Sequence, residues 1–92
     1  MYQVTQGSRF KKSYKKVSKH KNFKNEEFEF VLETLKSGRS LPEKYRDHQL
    51  SGKYTGMREC HVQNDVLLVY KVCKDILVLL LVDVGSHSEL FG

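Results

Sequence analysis

Three histidines, His48, His61 and His87, are the residues of this sequence best suited to proton-transfer chemistry. An unperturbed imidazole titrates near neutral pH, so it can act as a base or as an acid. The fourth histidine, His20, lies among lysines, and a solvated position at a helix end is enough to explain it. Each histidine taken alone is equally well explained by a structural hydrogen bond. The three histidines can act together in one reaction only if the fold brings them close to one another.

Segment 57–62 predicts how some of the reactive side chains are oriented. Its alternation is that of a β-strand, which sends Glu59 and His61 to one face and Cys60 to the other. We expect helices to cover the Cys60 face and the Glu59 face to point outward, with Asp65 in the following turn. One bulge in the strand would reverse this assignment.

These residue types suit the cleavage of RNA without a metal ion. The reaction needs a base for the 2′-hydroxyl, an acid for the leaving 5′-oxygen and a cation that holds the phosphate. Histidines supply the first two groups, and Asp65 could orient an imidazole or assist it. The candidates for holding phosphate are Arg46, Lys53 and Arg58. Tyr54 and Phe91 are candidates for stacking on a base, although Phe91 could equally pack on the core.

Positive charge is concentrated in the first quarter of the chain. Residues 1–24 carry eight Lys and Arg and no acid, whereas residues 25–92 carry eight Lys and Arg against eleven Asp and Glu. The candidates for contact with RNA in this region are Lys11, Lys12 and Lys15. A basic segment of this density favours a polyanionic partner, because each neutralised phosphate releases counterions. The alternative is a solvated helix face without a partner.

The sequence predicts a short strand followed by two helices. Residues 2–6 form the strand, and an apolar stripe of Phe10, Tyr14 and Val17 predicts a helix capped by Ser8. Asn22 or Asn25 could cap a second helix that ends before Gly38. The expected core stripe of this helix is Phe28, Val31, Leu32 and Leu35. Two such helices form a hairpin with one apolar face to bury.

A long connection and three strands complete the predicted fold. Residues 38–56 read as a loop with a turn of helix near residues 42–45, and strands follow at 57–62, 66–72 and 76–84. The last strand is apolar throughout residues 76–82, which predicts a central strand covered on both faces. The expected fold is α+β, in the order β-α-α-β-β-β, with a helical hairpin on a mainly antiparallel sheet.

Composition excludes several other classes of protein. Ninety-two residues with 39% hydrophobic side chains predict one domain spanning residues 1–92. The N-terminus lacks a signal-peptide pattern, and the longest apolar run has only seven residues, so we expect a cytoplasmic protein without a membrane partner. Cys60 and Cys73 show no metal-binding spacing and are expected to be buried, reduced thiols. The histidines lack HxxxH or HxH spacing, so neither a metal nor another cofactor is predicted.

The second half of the chain resembles the YafQ branch of the RelE superfamily. Its motifs are DHxLxG at residues 47–52, RxxHVxxDxxLxY at 58–70 and GxHxxLF at 85–91, in the order of the family. The resemblance covers residues 45–92, whereas the first half agrees in architecture and basicity more than in sequence. It implies a RelE-like fold and a ribosome-dependent endoribonuclease toxin, held inactive by an antitoxin encoded beside it.

The same resemblance implies roles for individual residues. The positions that it ties to cleavage are His48, His61, Asp65, His87 and Phe91. It makes His87 a good candidate for the proton donor and places an acid at Glu59, whose role is less defined. The partners it implies are an antitoxin and messenger RNA on the ribosome. Two rivals stay open: a ParE-like toxin that inhibits gyrase without cutting RNA, and a module that only binds RNA or the ribosome.

Overall fold

The computed structural model describes all 92 residues, which form five strands and three helices. The strands are β1 (Gln3–Gln6), β2 (His48–Gln49), β3 (Arg58–Gln63), β4 (Val66–Cys73) and β5 (Val78–Gly85). The helices are α1 (Ser8–Val17), α2 (Asn25–Lys36) and α3 (His87–Phe91). Short 3₁₀ turns occur at Glu43–Tyr45 and Gly52–Tyr54. None of the helices is both long enough and apolar enough to cross a membrane.

All five strands belong to one sheet with the order β1-β5-β4-β3-β2. The pairs β2–β3, β3–β4 and β4–β5 are antiparallel, whereas β1 runs parallel to β5. The predicted α+β fold with a mainly antiparallel sheet is therefore confirmed. Two elements were not predicted: β2, within the long connection, and α3, in the tail.

The helical hairpin covers one face of the sheet, where it forms the main core. The apolar spacing of α1 and α2 places one stripe of each helix against the sheet, as predicted. Phe10 of α1 stacks on Phe28 of α2, with ring centroids 6.2 Å apart. The buried residues of this main core are Phe10, Phe28, Val31, Leu35, Tyr45, Cys60, Val62, Leu68, Tyr70, Leu79, Leu81 and Val84.

The opposite face of the sheet carries a second, smaller core. Leu67 and Val69 of β4 are buried there beneath Leu90 of α3. Partly buried side chains from the preceding loop, the end of β5 and α3 surround them: Leu50, Tyr54, Met57, Val82 and Phe91. The long connection and the tail therefore cover part of the face that was expected to point outward.

Several local predictions differ from the structure. The last strand begins at Val78 rather than at residue 76, because Ile76 and Leu77 lie in a turn where they are 70% and 56% exposed. Neither predicted cap is used, since Gly7 and Lys24 occupy the N-cap positions of α1 and α2. Cys60 and Cys73 are both free thiols, but only Cys60 is buried.

The turn at Ile76 makes a direct test of this strand boundary possible. We expect Leu79→Ala to destabilise the protein by about 2–5 kcal/mol, because Leu79 is fully buried in the main core. The matched variant Ile76→Ala should change stability by less than about 0.5 kcal/mol, because its side chain is exposed. Urea denaturation measures both values. Equal losses would place Ile76 inside the strand.

Candidate active site

Glu59 on β3 lies between two histidine side chains. Its Oε1 atom is 3.6 Å from Nε2 of His48 and 3.7 Å from Nε2 of His61. His61 is two residues along the same strand and so shares its face, while β2 places His48 opposite Glu59 in the antiparallel register. The register irregularity between β3 and β4 begins only after His61. The predicted common face of Glu59 and His61 is therefore present.

Burial separates the carboxylate from the two imidazoles. The Glu59 side chain is only 6% exposed, whereas those of His48 and His61 are 52% and 32% exposed. The arrangement therefore places two surface imidazoles against one carboxyl group that is held largely out of water.

The backbone at Arg46 fixes the ring of His48. Nδ1 of His48 is 2.8 Å from the carbonyl oxygen of Arg46. Because a carbonyl oxygen only accepts hydrogen bonds, Nδ1 carries a proton and Nε2 is left to face Glu59. Arg46 itself has a φ of 50°, in the left-handed region, which turns the chain just before β2.

The third histidine, His87, begins α3 and is exposed. Ser86 caps this helix in a reciprocal pair: its hydroxyl accepts from the Glu89 amide at 3.2 Å, and its amide donates to Glu89 Oε1 at 2.8 Å. A Cβ at Gly85 would lie 2.9 Å from Glu89 Oε1, so a side chain there would push this carboxylate away from its bond to the Ser86 amide. The local sequence GSHSE thus fixes where His87 stands.

Asp65 connects the β3–β4 turn to the start of α3. Its Oδ1 atom accepts a hydrogen bond from the backbone amide of His87 at 3.2 Å. The register aligns His61 with Leu67 of β4 and Leu67 with Gly85 of β5, so α3 begins two strands away from His61. The predicted orienting role of Asp65 is compatible with this bond, which acts on the backbone of His87 rather than on an imidazole.

Phe91 and Tyr54 contact each other on the same side of the sheet. Their ring centroids are 5.4 Å apart, and the Phe91 ring is also 5.4 Å from that of His87. The Tyr54 hydroxyl donates to the Leu90 carbonyl at 3.2 Å. Both aromatic rings are half-buried in the second core, so they help to hold α3 as well as lying beside the candidate site.

A family model described as "Bacterial toxin of type II toxin-antitoxin system, YafQ" matches residues 2–92. The chain belongs to the YafQ family. This confirms the resemblance seen in the sequence motifs and extends it to the helical first half.

This chain is also similar to individual proteins, both in sequence and in solved structure. The mRNA interferase toxin YafQ of Escherichia coli K12 is 40% identical over 52 residues, which cover 56% of this chain and 54% of that protein. The match thus spans about half the length of that curated relative. Among solved structures, a metal-bound toxin from Helicobacter pylori has a TM-score of 0.90 and 38% identity, with 99% of this chain and 100% of that chain covered. A chain of the E. coli DinJ-YafQ complex has a TM-score of 0.86 and 27% identity, with complete coverage of both.

Arg58, one of the expected phosphate ligands of this YafQ family member, is already engaged by a carboxylate. Its Nε and terminal nitrogen each lie 3.2 Å from one oxygen of Asp47, and the Tyr70 hydroxyl also donates to Asp47. The hydrogen bonds from Arg58 to Asp47 hold the pKa of the guanidinium above its ordinary value despite partial burial. Asp47 and Tyr70 were missed as functional candidates, although both belong to the quoted motifs.

The other expected cations remain at the surface. Lys53 lies over the ring of Tyr54, with Nζ 5.3 Å from the centroid. Arg46 lines a cavity of ≈ 260 Å³ together with Lys24, Lys44 and His61. Positive charge therefore adjoins one of the two rings that face Glu59.

The α1 face of the YafQ fold divides into paired and unpaired cations. Arg9 lies 3.9 Å from Asp83, and Lys16 lies 3.4 Å from Glu89, so both help to attach α1 to the end of β5 and to α3. The exposed residues that line a groove on this helix without forming an ion pair are Lys11, Lys12 and Lys15. No group of three or more His, Cys, Asp or Glu side chains has the geometry of a metal site.

The cap of α3 predicts a pH-dependent stability. Hydrogen bonds from Ser86, followed by the charge of Lys16, lower the pKa of Glu89 below its ordinary 4.5. A lowered pKa in the folded state means that the carboxylate stabilises the fold above pH 4.5 and loses this effect as pH falls through the lowered value. We expect Glu89→Gln to lower Tm at neutral pH and to match the parent in acid.

Thermal unfolding followed by circular dichroism across pH tests this expectation. Glu29→Gln is the matched control, because Glu29 is exposed, lies beyond the first turn of α2 and forms neither a side-chain hydrogen bond nor an ion pair. A Glu89→Gln deficit that persisted unchanged in acid would show that its cause is not the charge.

Proposed function

We propose that this chain is the toxin of a type II toxin–antitoxin pair and that it cuts messenger RNA on the ribosome. The observation that carries the proposal is the buried Glu59 carboxylate facing the half-exposed rings of His48 and His61. Membership of the YafQ family supports it, as does the name "mRNA interferase toxin" of the E. coli relative. The proposed unit of function is the single domain formed by residues 1–92, acting in the cytoplasm.

The proposed reaction transfers phosphorus from the 5′-oxygen to the neighbouring 2′-oxygen of RNA, and histidines move the protons. His48 or His61 removes the proton of the 2′-hydroxyl, and the resulting oxygen attacks the adjacent phosphorus. The bond to the 5′-oxygen breaks, and His87 supplies the proton that this oxygen takes up. The products are a cyclic phosphate and a free 5′-hydroxyl. Glu59 stabilises the imidazolium that forms, and Asp65 holds the backbone of His87.

Substrate contacts are assigned by charge and exposure. Arg46 and Lys53 are positioned to hold phosphate, since neither is paired with an acid. Arg58 acts on phosphate only through its charge at a distance, because its guanidinium already donates two hydrogen bonds to Asp47. The exposed parts of Phe91 and Tyr54 offer a surface on which a base stacks beside His87.

Binding of the ribosome is assigned to the unpaired lysines of α1. An exposed cationic helix face suits the phosphates of ribosomal RNA. The proposed protein partner is a cognate antitoxin that covers either this lysine surface or the face that carries Glu59. The E. coli relative forms a DinJ-YafQ complex, which supports a partner of this kind.

The catalytic proposal predicts a loss of message cleavage in His87→Ala. Removing one proton-transfer group should slow cleavage by roughly 10²–10⁴-fold. Primer extension on messages from cells that briefly express each variant measures the cuts. His20→Ala is the control, because His20 is also exposed but belongs to none of the three family motifs.

The outcomes separate this proposal from its rivals. Cuts that disappear in His87→Ala and persist in His20→Ala support the assignment. Parental cutting by His87→Ala would refute the role of His87. Intact messages with blocked DNA supercoiling would indicate a gyrase inhibitor, and salt-dependent RNA binding without cleavage would indicate a binding module.

The ribosome contact predicts a change in salt dependence. Replacing Lys11, Lys12 and Lys15 with Gln should weaken ribosome binding and make the plot of log affinity against log salt less steep by up to about 2. Filter binding at several salt concentrations measures this slope. The control replaces Lys36 on α2, Lys71 on β4 and Lys74 in the turn after β4. An unchanged slope in the α1 variant would exclude this helix from the contact.

A further inference from the structure

The strand that carries His48 is held by few interactions of its own. β2 contains only His48 and Gln49, both exposed, and it lies at the edge of the sheet. It pairs with β3 at just two positions, His48 with Glu59 and Gln49 with Arg58. A two-residue edge strand within a long connection needs a further anchor to keep a side chain in place.

Asp47 supplies that anchor through three hydrogen bonds. Arg58 donates two of them in a forked arrangement, and the Tyr70 hydroxyl donates the third. Tyr70 is 1% exposed and belongs to the main core. Burial, followed by the bond to Asp47, raises the pKa of Tyr70, so its hydroxyl remains a donor. A negative charge is thus bound to a rigid part of the sheet.

The two partners of Asp47 lie on the helix-covered face. Arg58 and Tyr70 are opposite each other in the β3–β4 register, and Tyr70 packs in the main core. His48 faces Glu59, which lies on the other side of β3. Asp47 and His48 are successive residues at the edge of the sheet, and their side chains therefore bind partners on opposite faces of it.

We propose that Asp47 is a positioning residue that holds His48 against Glu59 by bridging Arg58 and Tyr70 on the opposite face of the sheet. Fixing one side chain of an extended pair fixes the direction of the next one. The carbonyl of Arg46, immediately before Asp47, also orients the His48 ring through Nδ1. Loss of the hydrogen bonds of Asp47 would therefore leave the His48 ring less fixed in both position and orientation.

The consequence for cleavage rests on the proposed function. A displacement of about 1 Å at a reacting group costs on the order of 10²-fold in rate. We therefore expect Asp47→Asn to lower kcat by roughly 10- to 100-fold while KM is unchanged. Asn keeps the shape of the side chain, but its amide nitrogen cannot accept the second bond from Arg58. Tyr70→Phe, which removes one donor, should lower kcat in the same direction by less.

Tyr45→Phe is the matched control on the same connection. It removes the 2.7 Å bond from the Tyr45 hydroxyl to Glu27 and leaves every partner of Asp47 in place. We expect Tyr45→Phe to retain the parental kcat. Parental kcat in Asp47→Asn, or an equal loss in Tyr45→Phe, would overturn the proposal.

A second readout does not depend on cleavage. Nitrogen-15 NMR of the imidazoles reports the protonated Nδ1 and the environment of Nε2 in His48. We expect Asp47→Asn to alter the His48 signals and to leave those of His20 unchanged. Unaltered His48 signals would overturn the positioning role. If the parent protein cuts no RNA, the proposed function fails, and the His48 signals alone decide the role of Asp47.

Discussion

The two-residue alternation of β3 is the constraint on which the rest of this structure depends. Arg58 and Cys60 turn toward the helical hairpin, whereas Glu59 and His61 turn toward the other face. This one strand therefore has three roles. Arg58 binds the loop residue Asp47, Cys60 packs in the main core, and Glu59 lies at the centre of the candidate site. A shift of one residue would turn both Glu59 and His61 into the core beneath the helices and turn Cys60 toward the candidate site. The register of β3 with β4 prevents that shift.

Much of the fold follows from patterns that act over short distances. The apolar spacing of α1 and α2 predicted both helices and their buried stripes, because a helix repeats its faces locally. The alternation at Glu59, Cys60 and His61 predicted which side chains share a face. The family motifs supplied what periodicity could not, namely the expectation that three histidines far apart in sequence belong to one functional set.

Most of what was missed depends on tertiary contacts or on turn geometry. β2 has too few residues to show a pattern, and it exists because β3 offers an edge and Asp47 has partners there. Ile76 and Leu77 look like strand residues by composition, yet the turn leaves them exposed. α3 is different, because the Ser86–Glu89 capping pair marks its start locally, and Asp65, 22 residues earlier, adds a bond to the His87 amide.

The parallel pairing of β1 with β5 has a consequence for how the molecule comes into being. Gln3 lies opposite Val78, so β1 must wait until β5 has also left the ribosome before the two strands can pair. The candidate site has the same requirement, because His87 follows β5. Before α3 is made, the chain holds two of the three candidate histidines, His48 and His61, but no complete arrangement of the three. Whatever chemistry depends on all three therefore begins only after α3 has also left the ribosome.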